Sequence, residues 1–97
     1  MPLKTKRWDS AKLLKTDDDI RNYLEAALEE DGNDPDFIVH ALGVIARSGN
    51  VSQLARDTGL SREGIYKALS EDGNPSFATV ARIATALGFR IKFESVA

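Results

Sequence analysis

From Ile20 onward the apolar positions recur in helical steps. Ile20, Tyr23, Leu24, Ala27 and Leu28 fall at i, i+3, i+4, i+7 and i+8, one stripe of an α-helix. Ahead of them Thr16 and Asp19 have the spacing of a capping box, and Asp17, Asp18 and Asp19 put acids where the helix dipole favours them. Asp31-Gly32-Asn33 ends this stripe. Asp34 followed by Pro35 then predicts an N-cap with proline in the first turn. Ile38, Ala41, Leu42 and Ile45 form the next stripe, with a stop at Ser48-Gly49. Asn50, with Gln53 three residues on, reads as another capping pattern, opening a short helix that Gly59 ends. Ser61 caps the following helix, which runs to about Leu69. Asp72-Gly73-Asn74-Pro75 has the composition of a turn. Ser76 caps a last helix with Phe77, Val80, Ala81, Ile83, Ala84 and Leu87 apolar, closed by Gly88. Before all of these, residues 3–8 form a basic arm and residues 10–15 have room for one helical turn.

The period changes at the end of the chain. Phe89, Ile91 and Phe93 alternate with Arg90, Lys92 and Glu94, the pattern of a half-buried strand. A lone strand leaves backbone donors and acceptors without partners. They could be met by the N-terminal arm, by the same strand of a second copy, or by a strand of another protein. The expected fold is therefore mostly α, with five to six short helices and a short C-terminal β-strand, in a single domain over residues 1–97.

At 97 residues the chain has room for one modest core. It contains no cysteine, which excludes a disulfide framework, thiolate catalysis and a Cys-based zinc finger. No apolar run is long enough to span a membrane, and the basic N-terminus is not followed by the apolar stretch of a secretory signal. A cytoplasmic protein is expected.

The net charge of −2 argues against nucleic acid until its distribution is considered. Residues 1–16 hold Lys4, Lys6, Arg7, Lys12 and Lys15 against Asp9. Residues 17–46 hold nine acids against Arg21, a net −8. Residues 47–93 carry Arg47, Arg56, Arg62, Lys67, Arg82, Arg90 and Lys92 against Asp57, Glu63, Glu71 and Asp72, a net +3. The middle of the chain is an acidic face, either plain solvated surface or a match for a basic protein partner, and the C-terminal half is basic.

The most informative stretch is residues 51–76, VSQLARDTGLSREGIYKALSEDGNPS. Two short helices crossing steeply need a small residue where their backbones approach, which Ala55 supplies. Their tight turn needs a residue that tolerates left-handed dihedrals, and Gly59 lies four positions on. Leu60 plugs the turn, while Leu54, Ile65 and Leu69 complete the apolar set. Together these predict a helix-turn-helix rather than an ordinary helical hairpin, because the outward face of the second helix carries Arg62, Glu63, Tyr66 and Lys67. In a helix-turn-helix those positions meet base edges in the major groove. Arg62 suits a bidentate contact to guanine, and Lys67 reaches guanine or phosphate. Tyr66 can donate to a phosphate or pack on a thymine methyl. Glu63 can accept from cytosine or simply favour the helix dipole. Ser52, Gln53 and the N-terminus of the helix beginning at Ser76 are placed to hold phosphates, and Ser61 and Asn74 complete the candidate DNA-binding set.

This stretch resembles the Cro/repressor-type helix-turn-helix class. The longer arrangement is similar to the addiction-module antidote family, the antitoxins of type II toxin–antitoxin operons. The similarity runs from Trp8 to Phe93, through YLEAALEED, PDFIVHALG and SQLARDTGLSREGIYKALSEDGNPSFATVARIATALGF. The resemblance implies a cytoplasmic homodimer that represses its own operon by binding double-stranded operator DNA. It also implies direct binding of a RelE/ParE-like toxin. A two-fold dimer would read a roughly palindromic site with half-sites about 34 Å apart. A stand-alone Cro-like phage regulator without a toxin is the alternative, and a protein-binding module built on the same motif is a third. Two positions depart from the pattern. Gln53 lies two residues before Ala55, where Cro-type repressors place a phosphate-gripping glutamine four before, and Gly64 interrupts the second helix.

The remaining signals are weaker. His40 lacks co-ligands for a metal, and Ser61 and Ser76 resemble helix caps, not nucleophiles. The Asp17-Asp18-Asp19 run fits a helix N-terminus better than a cation site. Trp8 is read as an anchor for the arm, with a toxin contact as the other reading. Phe77, Phe89 and Phe93 are read as core or dimer interface. No catalytic constellation, metal site, cofactor or membrane attachment is expected.

Overall fold

A computed structural model describes residues 14–70 and 72–96. The basic arm with Trp8 and most of the turn expected at 10–15 lie outside the described residues, while Leu14 and Lys15 are not helical. Helix α1 spans Asp17–Asp31, α2 Pro35–Ile45, α3 Val51–Thr58, α4 Arg62–Ala68 and α5 Phe77–Ala86.

The local chemistry explains most of the boundaries. Thr16 Oγ1 accepts from Asp19 N at 3.0 Å while the Asp19 carboxylate accepts from Thr16 N at 3.3 Å, so the capping box is closed. Asp34 accepts from Asp36 N at 3.0 Å, with Pro35 at the first helical position. Ser61 accepts from Gly64 N at 2.9 Å and Ser76 from Thr79 N at 3.1 Å. Each cap satisfies a first-turn N–H that has no partner inside the helix.

Asn50 acts differently from expectation. It makes no side-chain cap for α3. Its Nδ2 turns back and donates to the Ile45 carbonyl at 3.0 Å and to Ser48 Oγ at 2.6 Å, and Ser48 Oγ donates to the same carbonyl at 2.6 Å. The pair closes the end of α2 instead of opening α3. Helical dihedrals are lost at Ser48 (φ −84°, ψ 16°) and Gly49 (φ 99°, ψ 8°), so the backbone turns sharply between α2 and α3. The stop expected at Ser48-Gly49 is met by this sharp kink, and with α2 and α3 counted as one bent run the described residues hold four helical rods where five to six were expected.

The core is built from the predicted stripes except Leu28, which is 40% exposed at the end of α1. Ile20, Leu24 and Ala27 of α1 pack with Ala41, Leu42, Val44 and Ile45 of α2, then with Val51 and Leu54 of α3, Ile65 and Leu69 around α4, and Ile83 of α5. Ile45, Ile65 and Ile83 are completely buried. Helix α1 lies on α2, while α3 packs on both α4 and α5, and α4 also meets the kink. The two glycine-bearing turns around α4 fix its placement. At the first, Gly59 takes φ 79°, and its N–H donates to the Ala55 carbonyl at 3.0 Å. A side chain is strained at that φ, which makes glycine the residue for this turn. At the second, a Cβ on Gly73 would overlap the carbonyl oxygens of Lys67 and Ala68, so only glycine lets the chain pass so close to the end of α4.

The expected C-terminal strand is absent among the described residues. Phe89 N donates to Ala84 O at 2.9 Å and Gly88 N to Thr85 O at 3.0 Å, so the start of the segment is consumed in closing α5. Beyond it, residues 90–94 hydrogen-bond to no other described residue. A strand exists only as half of a ladder, and no partner strand lies among the described residues. The phenylalanines also divide. Phe89 packs against the core, whereas Phe77 is 62% and Phe93 85% exposed, which removes these two from the core.

Candidate functional site

Helix α4 is seated by one face and displays the other. Ile65 and Leu69 point into the core, and Ser61, Arg62, Glu63, Tyr66 and Lys67 are all exposed. Helical geometry separates 63 and 67, which lie opposite 65 and 69 on a 3.6-residue turn, with 66 to the side; Arg62 shares the phase of Ile65 and Leu69 and is exposed at the first position of the helix. The helix is held at both ends. Ser61 caps its start, and Leu69 N donates to Ile65 O at 3.0 Å at its finish.

The turn leading into α4 is fastened by a side chain that the sequence reading missed. Thr58 Oγ1 donates to Leu54 O at 2.6 Å and accepts from Leu60 N at 3.2 Å. The half-buried Leu60 is thereby drawn against the core, as its plugging role requires. Threonine at the C-terminal end of a helix, just before glycine, was the available signal.

One pair of candidate residues is brought together across the turn. Arg62 Nη1 donates to Ser52 Oγ at 3.4 Å, joining α4 to the exposed start of α3. Gln53 is tied within its own helix. Its amide donates to Asp57 Oδ1 at 2.9 Å, and its carbonyl accepts from Arg56 Nη2 at 2.8 Å. Arg56, not among the residues singled out from sequence, thus shares the exposed face of α3 with Ser52 and Gln53. Its place three positions after Gln53 on a helix was the signal that would have found it. Asn74 and Ser76 are exposed on the segment leading into α5. Ser76 is occupied locally, its hydroxyl donating to Thr79 Oγ1 at 3.1 Å. Gly64 has a local reason as well, because a Cβ there would come within 2.9 Å of the Ser61 hydroxyl that caps the helix.

The electrostatics of the face are simple. Arg56, Arg62 and Lys67 are exposed and form no ion pair among the described residues, where Arg21–Asp18 at 3.1 Å is an (i, i+3) pair on α1. Their positive charge is available to an external anion. No three His, Asp or Glu side chains gather as a metal would need among the described residues. No described helix is long and apolar enough to cross a membrane.

Such an arrangement defines a small helical protein whose candidate site is a convex, exposed, partly cationic helix face, with chemistry suited to recognition by contact. The chain belongs to the family of probable addiction module antidote proteins, whose family model matches residues 4–95. An uncharacterized protein of Haemophilus influenzae is 47% identical over 89 residues, covering 92% of this chain and 90% of that protein. No solved structure matches the chain.

Proposed function

We propose that this chain is the antitoxin of a type II toxin–antitoxin module, non-catalytic and cytoplasmic. In this reading it neutralises a RelE/ParE-like toxin by direct binding and represses its own operon by sequence-specific binding of DNA. The observation that carries the DNA half is the division of α4, with Ile65 completely buried and Arg62, Glu63, Tyr66 and Lys67 outside. A helix rigidly seated on one face and presenting cations on the other is what major-groove readout requires. Helices α3 and α4, joined at Gly59, are the helix-turn-helix. Arg62 reads a guanine, and Ser52 across the turn steadies its guanidinium. Lys67 supplies a phosphate or guanine contact, Tyr66 a phosphate or thymine contact, and Ser52, Ser61, Asn74 and Ser76 flank the backbone. Gln53 reaches phosphate only by exchanging its bonds to Arg56 and Asp57, and Arg56 is the cation free to assist. Family membership supports the toxin half, and the acidic run on α1 offers a basic toxin a complementary face.

The test is growth of a host expressing the small reading frame adjacent to the gene, with and without this chain, alongside a promoter mobility-shift assay. Arrest rescued only by co-expression, with a shift of the operon's own promoter that weakens steeply with salt, is expected. A harmless neighbour with an intact shift would instead identify a stand-alone regulator. A shift insensitive to salt would reject DNA readout through these cations.

A further inference from the structure

We infer that residues 90–94 form the dimer interface of this protein, pairing antiparallel with the same segment of a second copy about a two-fold axis at Lys92. The inference deepens the proposed function, since a two-fold dimer is what a palindromic operator needs, but it stands on separate observations. The segment is exposed and belongs to no helix, and its backbone makes no hydrogen bond to any other described residue. Ile91 is 38% and Phe93 85% exposed. They lie with Phe77 and Phe89 along an open groove of about 700 Å³ beside α5, and the Phe77 and Phe93 rings stand 6.3 Å apart. A free strand edge flanked by exposed apolar side chains is a template for strand addition.

The sequence of the segment selects a second copy as the occupant. In an antiparallel pair, residues opposite each other share a face, so only registers centred on a residue keep apolar against apolar. Centring on Ile91 sets Arg90 against the partner's Lys92, a like-charge clash on both sides of the axis. Centring on Phe93 pairs Lys92 with the partner's Glu94 but puts Ile91 against the partner's Ser95. Centring on Lys92 sets Arg90 against the partner's Glu94 twice and Ile91 against the partner's Phe93 twice. The Phe93-centred register also sets Phe93 against the partner's Phe93, but only the Lys92-centred one gives both apolar residues of 90–94 an apolar partner and keeps all five residues paired within the segment. Its one conflict is Lys92 against its own copy on the axis, where the long side chains can splay into solvent. Because an isologous interface repeats every contact, each match counts twice.

The test is sedimentation equilibrium of the full chain without DNA, with hydrogen exchange at 90–94 followed across the same concentrations. Glu94→Arg and Arg90→Glu are each expected to weaken the dimer roughly tenfold or more, although they move the net charge in opposite directions. The double variant R90E/E94R restores it. Four residues of extended chain separate these positions by about 13 Å, so the rescue is intermolecular. Lys92→Thr tightens the dimer by removing the axial repulsion, whereas the Phe93-centred register predicts the opposite. Amide protection at 90–94 that appears with concentration completes the expected result. Failure of the double variant to rescue, or a dimer indifferent to all four changes, overturns the inference and leaves operator binding to be judged on its own shift. A chain monomeric at every concentration, with 90–94 protected only when toxin is added, overturns it in favour of a toxin strand.

Discussion

Replacing Ile65 by alanine separates the seating of α4 from its outward chemistry. Ile65 is completely buried, at the point where α4 meets the core shared with Leu54 and Ile83. Truncation removes three carbons, about 2.4 kcal/mol of transfer free energy at ~0.8 kcal/mol per buried methylene. The residual cavity raises the total to roughly 3–4 kcal/mol, within the range for such deletions. A domain of this size has about 5–15 kcal/mol of stability, so the loss is large but survivable. At about 4–8 °C per kcal/mol, thermal unfolding followed by circular dichroism should move down by roughly 12–30 °C. Tyr66, the next residue, is 43% exposed, and Tyr66→Ala should alter stability by only about 0.5 kcal/mol. In the proposed function the two variants exchange their effects on DNA. Below its melting range Ile65→Ala keeps the exposed side chains and retains promoter binding, while Tyr66→Ala stays folded and binds less tightly. An Ile65→Ala protein that melts within about 3 °C of the parent would refute the packing argument.

Other outcomes can be stated more briefly. Gly59→Ala places a side chain at φ 79° and should cost about 1 kcal/mol or more, read as a lower denaturation midpoint. Gly73→Ala, which must push apart the Lys67 and Ala68 carbonyls, should cost about as much as overpacking a core, roughly 1–3 kcal/mol by the same measurement. Arg62→Ala should relax discrimination among operator variants by roughly 1–3 kcal/mol. If Lys67 contacts phosphate, Lys67→Ala should weaken all sequences alike and lower the salt slope by about one. Discrimination unchanged in Arg62→Ala would end its assignment to base reading. Neutralising Asp17, Asp18 and Asp19 to asparagine should reduce toxin affinity, and an unchanged titration curve would remove this face from the contact.

Where the sequence was legible, one residue type had one local use. Serine at 61 and 76, aspartate at 34 and threonine at 16 each stand before a helix and bond its first turn. The apolar stripes identified the buried faces of α1 and α2 because a 3.6-residue period admits one burial direction. Asn50 was legible as a terminal residue but not as to which end it served. An asparagine amide can accept from the helix that follows or donate to the one that precedes, and the kink at Gly49 aims it backward. The exposed residues Glu63, Tyr66 and Lys67 of α4 were legible because polarity and helical phase agree there, whereas Arg62, in phase with Ile65 and Leu69, is exposed by its place at the start of the helix. Arg56 carries no such mark, because a single basic residue on an exposed helix face reads as solvated surface until its bond to Gln53 is seen. Gly73 was read for its turn composition, whereas its role is a close approach to carbonyls at the end of α4, which no local pattern encodes.

The C-terminal segment shows the limit of periodicity in physical terms. Alternation describes side chains, and the alternation of Phe89, Ile91 and Phe93 is real. A strand, however, is defined by hydrogen bonds to a neighbour, and residues 90–94 have none among the described residues. A strand's side-chain code without a strand's partner is what the dimer proposed for residues 90–94 would complete. The burial pattern agrees, since exposure rises from the half-buried Phe89 to Phe93 at 85% as the chain leaves α5. Exposing a ring of that size costs free energy that a lone chain does not recover, and the cost is lifted only when another surface covers it. The same residues that made the strand expectation wrong for the single chain are therefore those on which the proposed dimer depends.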